Sequence, residues 1–295
     1  MQTDWSPISL GNLAPLLLLL LLGVVLLLAR FSRGRFSPPG YLGYFWAFLL
    51  VCVVADLLSF AAAVWLMAVI SFRGLREYFS LVDMRLEDRW GILGAYLSIP
   101  FMIYLVQIDW YGFFIVSIPV YAFIIIPFLV AVGDSGGRGS LLSIGAIDFG
   151  LFFFVYCLGH LAYLAYFSTW LVLLLLLAVA VCNAAIALTA RMGRIAGFLL
   201  SCTASLALTL GLRTWTLVPM GHAVALGILI PVLVQMSDYT VGVLERDLGI
   251  SAADLEPGRG RVLDSLKSYL FTAPIVFHYL RWFMKLDELN LSHGP

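Results

Sequence analysis

Charge is scarce in this chain. Only 12% of its 295 residues are charged and 62% are hydrophobic, with a mean hydropathy of +1.02. A soluble domain carries about twice that share of charge, so the composition excludes one and specifies a polytopic membrane protein, an all-α bundle. The formal net charge is zero, which removes any bulk attraction to nucleic acid. Lysine is almost absent, with only Lys267 and Lys285 among the 17 basic residues. The four cysteines, Cys52, Cys157, Cys182 and Cys202, lie in apolar runs without metal-ligand spacing and are read as reduced packing residues. No Walker loop, G-x-S-x-G, HExxH or CxxC occurs, so P-loop, serine-hydrolase and zincin chemistry have no support. His160, His222 and His278 share no helical face, and metal binding by histidine is not expected. No internal repeat is visible either, which argues against a transporter built on inverted repeats, despite acids such as Asp56 and Asp148 in or near apolar runs.

What is present is hydrocarbon in membrane-sized pieces. A helix needs roughly 20 apolar residues to cross a bilayer. Leu10–Ala29 is the first such run; it lacks a basic start and a cleavage site, so it is read as an uncleaved span. A basic loop with Arg30, Arg33 and Arg35 follows. Tyr41–Phe72 is too long for one span and short for two, with Asp56 in its middle. A carboxylate at mid-membrane costs ~2.5–3.5 kcal/mol on insertion scales. Two short helices that return Asp56 to the surface avoid that cost; one long tilted helix is the alternative. Arg73–Trp90 is mixed in charge and is expected to lie on the membrane surface. Further spans are expected at Ile92–Gln107, Tyr111–Val132, Ile147–Phe167, Trp170–Ala190, Ile195–Leu212, Val218–Met236 and Ser268–Met284. The total is about ten, with nine if the hairpin is one span.

Placing the N-terminus outside puts fourteen basic residues inside and three, Arg213, Arg281 and Lys285, outside. That asymmetry satisfies the positive-inside rule. It makes 237–267 a cytoplasmic loop and leaves the chain in two parts: 1–40, a span and basic loop, and 41–295, the main membrane domain.

The charges that do exist gather within Val234–Phe277. Gly258-Arg259-Gly260-Arg261 combines flexible backbone N–H groups with two guanidiniums, the ingredients of a phosphate-binding loop; a basic loop resting on anionic headgroups is the plainer reading. Asp238 and Asp264 flank it and could together hold a divalent cation. They could equally be membrane-edge charges. Asp148 and Asn183 are read as interhelical hydrogen-bonding groups.

The order of these residues resembles the phosphatidate cytidylyltransferases (CDP-diglyceride synthases). The resemblance rests on Asp238, Glu245-Arg246-Asp247-Leu248-Gly249-Ile250, Pro257-Gly258, Gly260, Val262-Leu263-Asp264 and Ala273-Pro274. Leu75-Arg76-Glu77-Tyr78, Trp110-Tyr111-Gly112, Ile118-Pro119-Val120-Tyr121, Gly133-Asp134 and Val155-Tyr156-Cys157 are similar to the bacterial paralogue branch of that family. It implies a bacterial inner-membrane enzyme that transfers CMP from CTP to phosphatidate, giving CDP-diacylglycerol and pyrophosphate in phospholipid biosynthesis. It further implies Mg2+ on Asp238 and Asp264, phosphate contacts from Arg246, Gly258, Arg259, Gly260, Arg261 and Lys267, and room for a homodimer.

The signature is also altered. Gly242 and Glu245 replace its serine and lysine, Ser251-Ala252 a lysine–aspartate pair, and Arg259-Gly260-Arg261 its His-Gly-Gly. Its final Asp-Arg-x-Asp has become Asp264-Ser265-Leu266-Lys267. Asn183, near Arg191, falls on an acidic position, and a phosphate-binding segment is missing between Ile195 and Leu212. Two expectations follow from the altered residues. Either Lys267 takes the place of a cation while Arg259 and Arg261 grip phosphate, or the chain is a catalytically impaired paralogue that binds anionic phospholipid or a partner enzyme.

Overall fold

The computed structural model describes residues 15–24, 41–134, 136, 138–250 and 260–286. Among these residues there are ten helices and no strands. They are α1 (Pro15–Val24), α2 (Tyr41–Leu57), α3 (Phe60–Leu81), α4 (Arg89–Gln107) and α5 (Tyr111–Gly133). The second half holds α6 (Ser140–Phe167), α7 (Thr169–Leu188), α8 (Arg194–Thr216), α9 (Met220–Asp247) and α10 (Arg261–Phe283). Six segments are long and apolar enough to cross a membrane: Leu86–Gln107, α5, α6, α7, α8 and α9. The protein is an all-α membrane bundle.

The distribution of side chains fits that setting. Phe123, Ile124, Phe128, Val132, Ile195 and Leu199 are each more than half exposed. In water such a surface would be an association site; against lipid it carries no penalty. The centre of the bundle is α6 with the first half of α7, where Phe153–Phe167 and Leu171–Leu176 are buried.

The Tyr41–Phe72 run is two helices, as the Asp56 argument requires. The break falls at Leu58-Ser59, where Ser59 Oγ caps α3 by accepting from Ala62 N at 3.1 Å. Asp56 accepts from Thr169 Oγ1 at 2.5 Å, so the hairpin meets the α6–α7 turn at one end of the bundle. The opposite end carries Arg85, Arg138, Arg194 and Arg261, and is called the basic end below.

Two expectations are corrected. Arg73–Leu81 is not a surface segment but the last turns of α3, and Ser71, Gly74, Leu75, Glu77 and Tyr78 are buried there. No helix breaker stands between Phe60 and Leu81 other than Gly74, whose missing side chain makes room for the ring of Phe154. The expected 237–267 loop is helical at both ends: α9 runs on to Asp247 and α10 begins at Arg261. Charge alone does not end a helix; Gly249, with φ +69°, does.

Within α5 the ladder opens into a π-helical turn at Ser117–Ala122. Pro119 has no N–H for the carbonyl of Ile115. Tyr156 Oη from α6 donates to that carbonyl at 3.3 Å.

A stripe of small residues on α8, Gly197, Ser201, Ser205 and Thr209, is buried, and α8 packs on α7 and α9 through it. At the α8–α9 contact a Cβ on Gly227 would sit 2.8 Å from Leu206 Cα. Gly227→Leu should therefore destabilise the protein by about 2–3 kcal/mol through overpacking, outweighing a gain of up to ~1 kcal/mol in helix propensity. Thermal melting in detergent checks this against Gly221→Leu on the same helix. Nothing lies within 4 Å of a Cβ at Gly221, so that variant should melt no lower than the parent protein.

Candidate functional site

The acidic and lysine side chains that meet at the basic end are positioned by α9 and α10. Asp238 and Glu245 are seven residues apart on α9, two turns along nearly the same face. Asp264 and Lys267 are three apart on α10 and therefore neighbours. The two helices pack together, and Ser237 Oγ donates to the Lys267 carbonyl, joining them beside these side chains.

The result is a lysine between two aspartates. Lys267 Nζ lies 2.6 Å from Asp264 Oδ1 and 3.6 Å from Asp238 Oδ1. All three side chains are partly exposed, 21% for Lys267 and 28% for each aspartate. The Asp238 Oδ1 and Glu245 Oε1 atoms are themselves buried and accept no hydrogen bond. Asn183, at the acidic position of the resemblance, accepts from Ser268 Oγ at 3.2 Å, an interhelical bond made by the residue that follows the lysine. The companion expectation for Asp148 does not hold at Oδ2, which is buried without a hydrogen-bond partner.

Asp238 also faces a cavity of about 240 Å³. It lies between the end of α7, the α7–α8 turn, α8 and α9, with Thr189, Arg194, Gln235 and Tyr239 among its lining residues. One carboxylate thus belongs both to the ion-paired cluster and to an open, largely apolar cavity with a few polar groups on its wall. Arg194, Gln235 and Tyr239 escaped the sequence reading because nothing in a single helix marks which polar residue faces a neighbour.

The other expected residues are spread more widely. Arg246 is exposed on α9, about 80° around the helix from Asp238. Arg261 is exposed at the start of α10. Gly260 has φ +90°, and a Cβ there would meet Ile250 at 2.7 Å, so glycine is required for the turn into α10. Gly258 and Arg259 lie outside the described residues.

The N-terminus of α10 is held by Glu77, a residue of the Leu75–Tyr78 motif to which the sequence reading gave no structural role. Glu77 of α3 accepts from Val262 N at 2.5 Å and from Leu263 N at 3.2 Å. A remote carboxylate thus does the work of an N-cap side chain, and its charge complements the helix dipole. Its signal in the sequence is an acid within a run that continues an apolar helix.

As a metal site the aspartate pair does not fit. The position between the two oxygens is taken by an ammonium, and among the described residues no group of three or more His, Cys, Asp or Glu is arranged to hold a metal ion.

At the other end of the bundle α6 and α10 bring together two of the histidines. His160 Nδ1 meets the Tyr156 carbonyl at 2.8 Å, so it is the protonated nitrogen and Nε2 is the acceptor. His278 Nε2, at 3.2 Å, then donates to it, and His278 Nδ1 accepts from Tyr111 Oη at 3.2 Å. Both imidazoles are satisfied in the neutral form, each committing its lone pair to a neighbour.

Residues 190–283 match the model of the cytidylyltransferase family, so the resemblance read from the motifs stands over the segment that holds Asp238, Glu245, Asp264 and Lys267. The chain is 28% identical to the uncharacterized protein YnbB of Escherichia coli (strain K12) over 238 residues, 73% of this chain and 78% of that one. It is 39% identical to a phosphatidate cytidylyltransferase of Synechocystis sp. over 56 residues, 19% of each chain. No solved structure matches at a significant level.

Proposed function

We propose that this membrane protein transfers the cytidylyl group of CTP to phosphatidate at the basic end of the bundle, which faces the cytoplasm of a bacterial inner membrane. A lipid phosphate oxygen attacks the α-phosphorus of CTP. The bond from that phosphorus to the β-phosphate oxygen breaks, and pyrophosphate leaves as CDP-diacylglycerol forms. The observation that carries this reading is Asp238: it lines the 240 Å³ cavity and stands 3.6 Å from the Lys267 ammonium. A phosphate in that space meets Arg194 on the cavity wall, with the Lys267 ammonium 3.6 Å from the Asp238 carboxylate that lines it, and its lipid tail can lie against the apolar flanks of α8 and α9.

The chain's own residues bind and orient in this scheme. Lys267, held by Asp264, offers positive charge to the phosphates. Arg194 lies on the cavity wall, and Arg246 and Arg261 lie on the exposed surface of the same end, where they draw in anions. Magnesium, in this reading, arrives as part of the triphosphate substrate.

The test is product formation by purified, detergent-solubilised protein given CTP labelled at the α-phosphate and phosphatidate. Labelled CDP-diacylglycerol is expected, with pyrophosphate released one for one. The ammonium between Asp238 and Asp264 also favours a second reading, in which the site binds a phosphorylated lipid without turning it over. Retained phosphatidate binding with no product, under conditions where the Synechocystis enzyme turns over, would establish the second and sink the first.

A further inference from the structure

A resemblance that implies a metal meets, in this chain, a side chain standing in the metal's place. We propose that Lys267 Nζ is the resident cation of the Asp238–Asp264 pair, and that the pair consequently takes no divalent metal ion. The positive charge that this site presents to an anionic ligand is supplied by the chain itself. The inference deepens the proposed reaction, but it stands on the geometry of the cluster alone.

Distance is the first argument. Nζ is 2.6 Å from Asp264 Oδ1 and 3.6 Å from Asp238 Oδ1. A magnesium ion on the same oxygens would need each at about 2.0–2.1 Å in a near-octahedral shell. The ammonium fills the space that ion would use and repels it by charge.

The lysine is also held in position. Its carbonyl accepts from Ser237 Oγ, next to Asp238, so the backbone of α10 is fixed against α9 where the cluster forms. The side chain is only 21% exposed, and its shortest ionic contact, to Asp264, is within its own helix. An ammonium so placed keeps its position in the absence of any ligand.

Among the described residues no competing donor set is at hand. Glu245 is two turns along α9 and adds negative charge to the neighbourhood. Together with the aspartates it still does not make a three-carboxylate group arranged for a metal. An ammonium has three N–H donors. Asp264 takes one at hydrogen-bond distance, and Asp238 stands at ion-pair distance only, so donors remain for a phosphate oxygen. The cluster is thus both charge-compensated at rest and able to receive an anion.

The test uses Mn2+ as the probe, on the full-length protein in detergent without nucleotide or lipid. Free Mn2+ is read by its electron paramagnetic resonance signal. The parent protein should withdraw none beyond the level of its own Asp238→Asn variant. Lys267→Ala and Lys267→Asp each open the pair, the second adding a carboxylate in the ammonium's place, and each should withdraw about one Mn2+ per chain. Adding Asp238→Asn to either should abolish the uptake. Uptake by the parent protein that is lost in Asp264→Asn would overturn the proposal, and so would folded Lys267 variants that take up nothing. Should the variants be unstable, their melting is compared with and without Mn2+. A rise confined to the variants supports the proposal, and no rise in either variant counts against it. No substrate is present, so a protein that fails to make CDP-diacylglycerol leaves this result standing, and the reverse also holds.

Discussion

Glu77→Ala lowers the apparent melting temperature of the detergent-solubilised protein by about 6–20 °C, taking about 2–4 °C per kcal/mol for a chain of this size. Glu77 is 5% exposed, and its carboxylate accepts from Val262 N and Leu263 N. These are two of the first N–H groups of α10, which have no partner inside their own helix. Hydrogen bonds to a charged acceptor contribute about 1.5–3 kcal/mol each, and alanine leaves both donors buried, so the loss is about 3–5 kcal/mol. Glu77→Gln keeps an acceptor oxygen without the charge and should recover about half of it. The temperature is read at a fixed scan rate, because unfolding of a membrane bundle is a rate as much as an equilibrium. A Glu77→Ala protein that melts within a degree or two of the parent would show that α10 is positioned by packing alone.

If the proposed reaction is this protein's, Asp264→Ala should reduce the rate of CDP-diacylglycerol formation by about a hundredfold, the effect of removing roughly 3 kcal/mol of charge stabilisation at the reacting phosphates. Asp264 is the closer partner of Lys267, at 2.6 Å. Without it the ammonium is drawn to Asp238, and the cation no longer stands between the two helices. Asp264→Asn still accepts a hydrogen bond and should fall between the two. Stability is a separate readout. Asp264 sits in the first turn of α10, where a negative charge contributes about 0.3–1 kcal/mol through the helix dipole. The melting temperature should therefore drop only slightly while activity collapses. Equal losses in the two measurements would mean that Asp264 is structural.

Both predictions depend on α10 arriving at α9 in one rotational setting, which the sequence does not state. It does state that α10 will carry Asp264 and Lys267 on one side, since residues three apart on a helix are neighbours. It places Asp238 at the start of a loop, whereas α9 runs on to Asp247. That Lys267 stands between the two aspartates follows from the angle at which the helices meet. The same is true of Glu77, 185 residues from Val262 along the chain, and of His160 and His278, 118 apart.

Hydropathy and charge were sufficient for a great deal. They are additive along the chain: a run of apolar residues is membrane-seeking whatever it packs against, and a carboxylate at mid-membrane is costly in any fold. The all-α membrane class, the helix break beside Asp56 and the unpaired cysteines were legible for that reason. The family resemblance was legible because motif order is a linear property. Helix ends were less so. Arg73–Leu81 and Asp238–Asp247 remain helical although they are charged, because no strong breaker stops them and packing against other helices stabilises them.

What only the tertiary structure decided is the identity of partners. An ammonium, a metal ion or water could each satisfy two aspartates as far as the sequence is concerned. The choice is made by distances of a few ångströms between side chains on different helices. Those distances are set by small residues such as Gly227, by the Ser237–Lys267 link and by the Glu77 cap. Coulomb energy varies inversely with separation, so a shift of one or two ångströms decides whether Lys267 is a partner of Asp238 or a surface charge. The sequence by itself determined that this protein carries a cluster of opposite charges at the end of a membrane bundle. Packing determined that the cluster is closed on its own lysine.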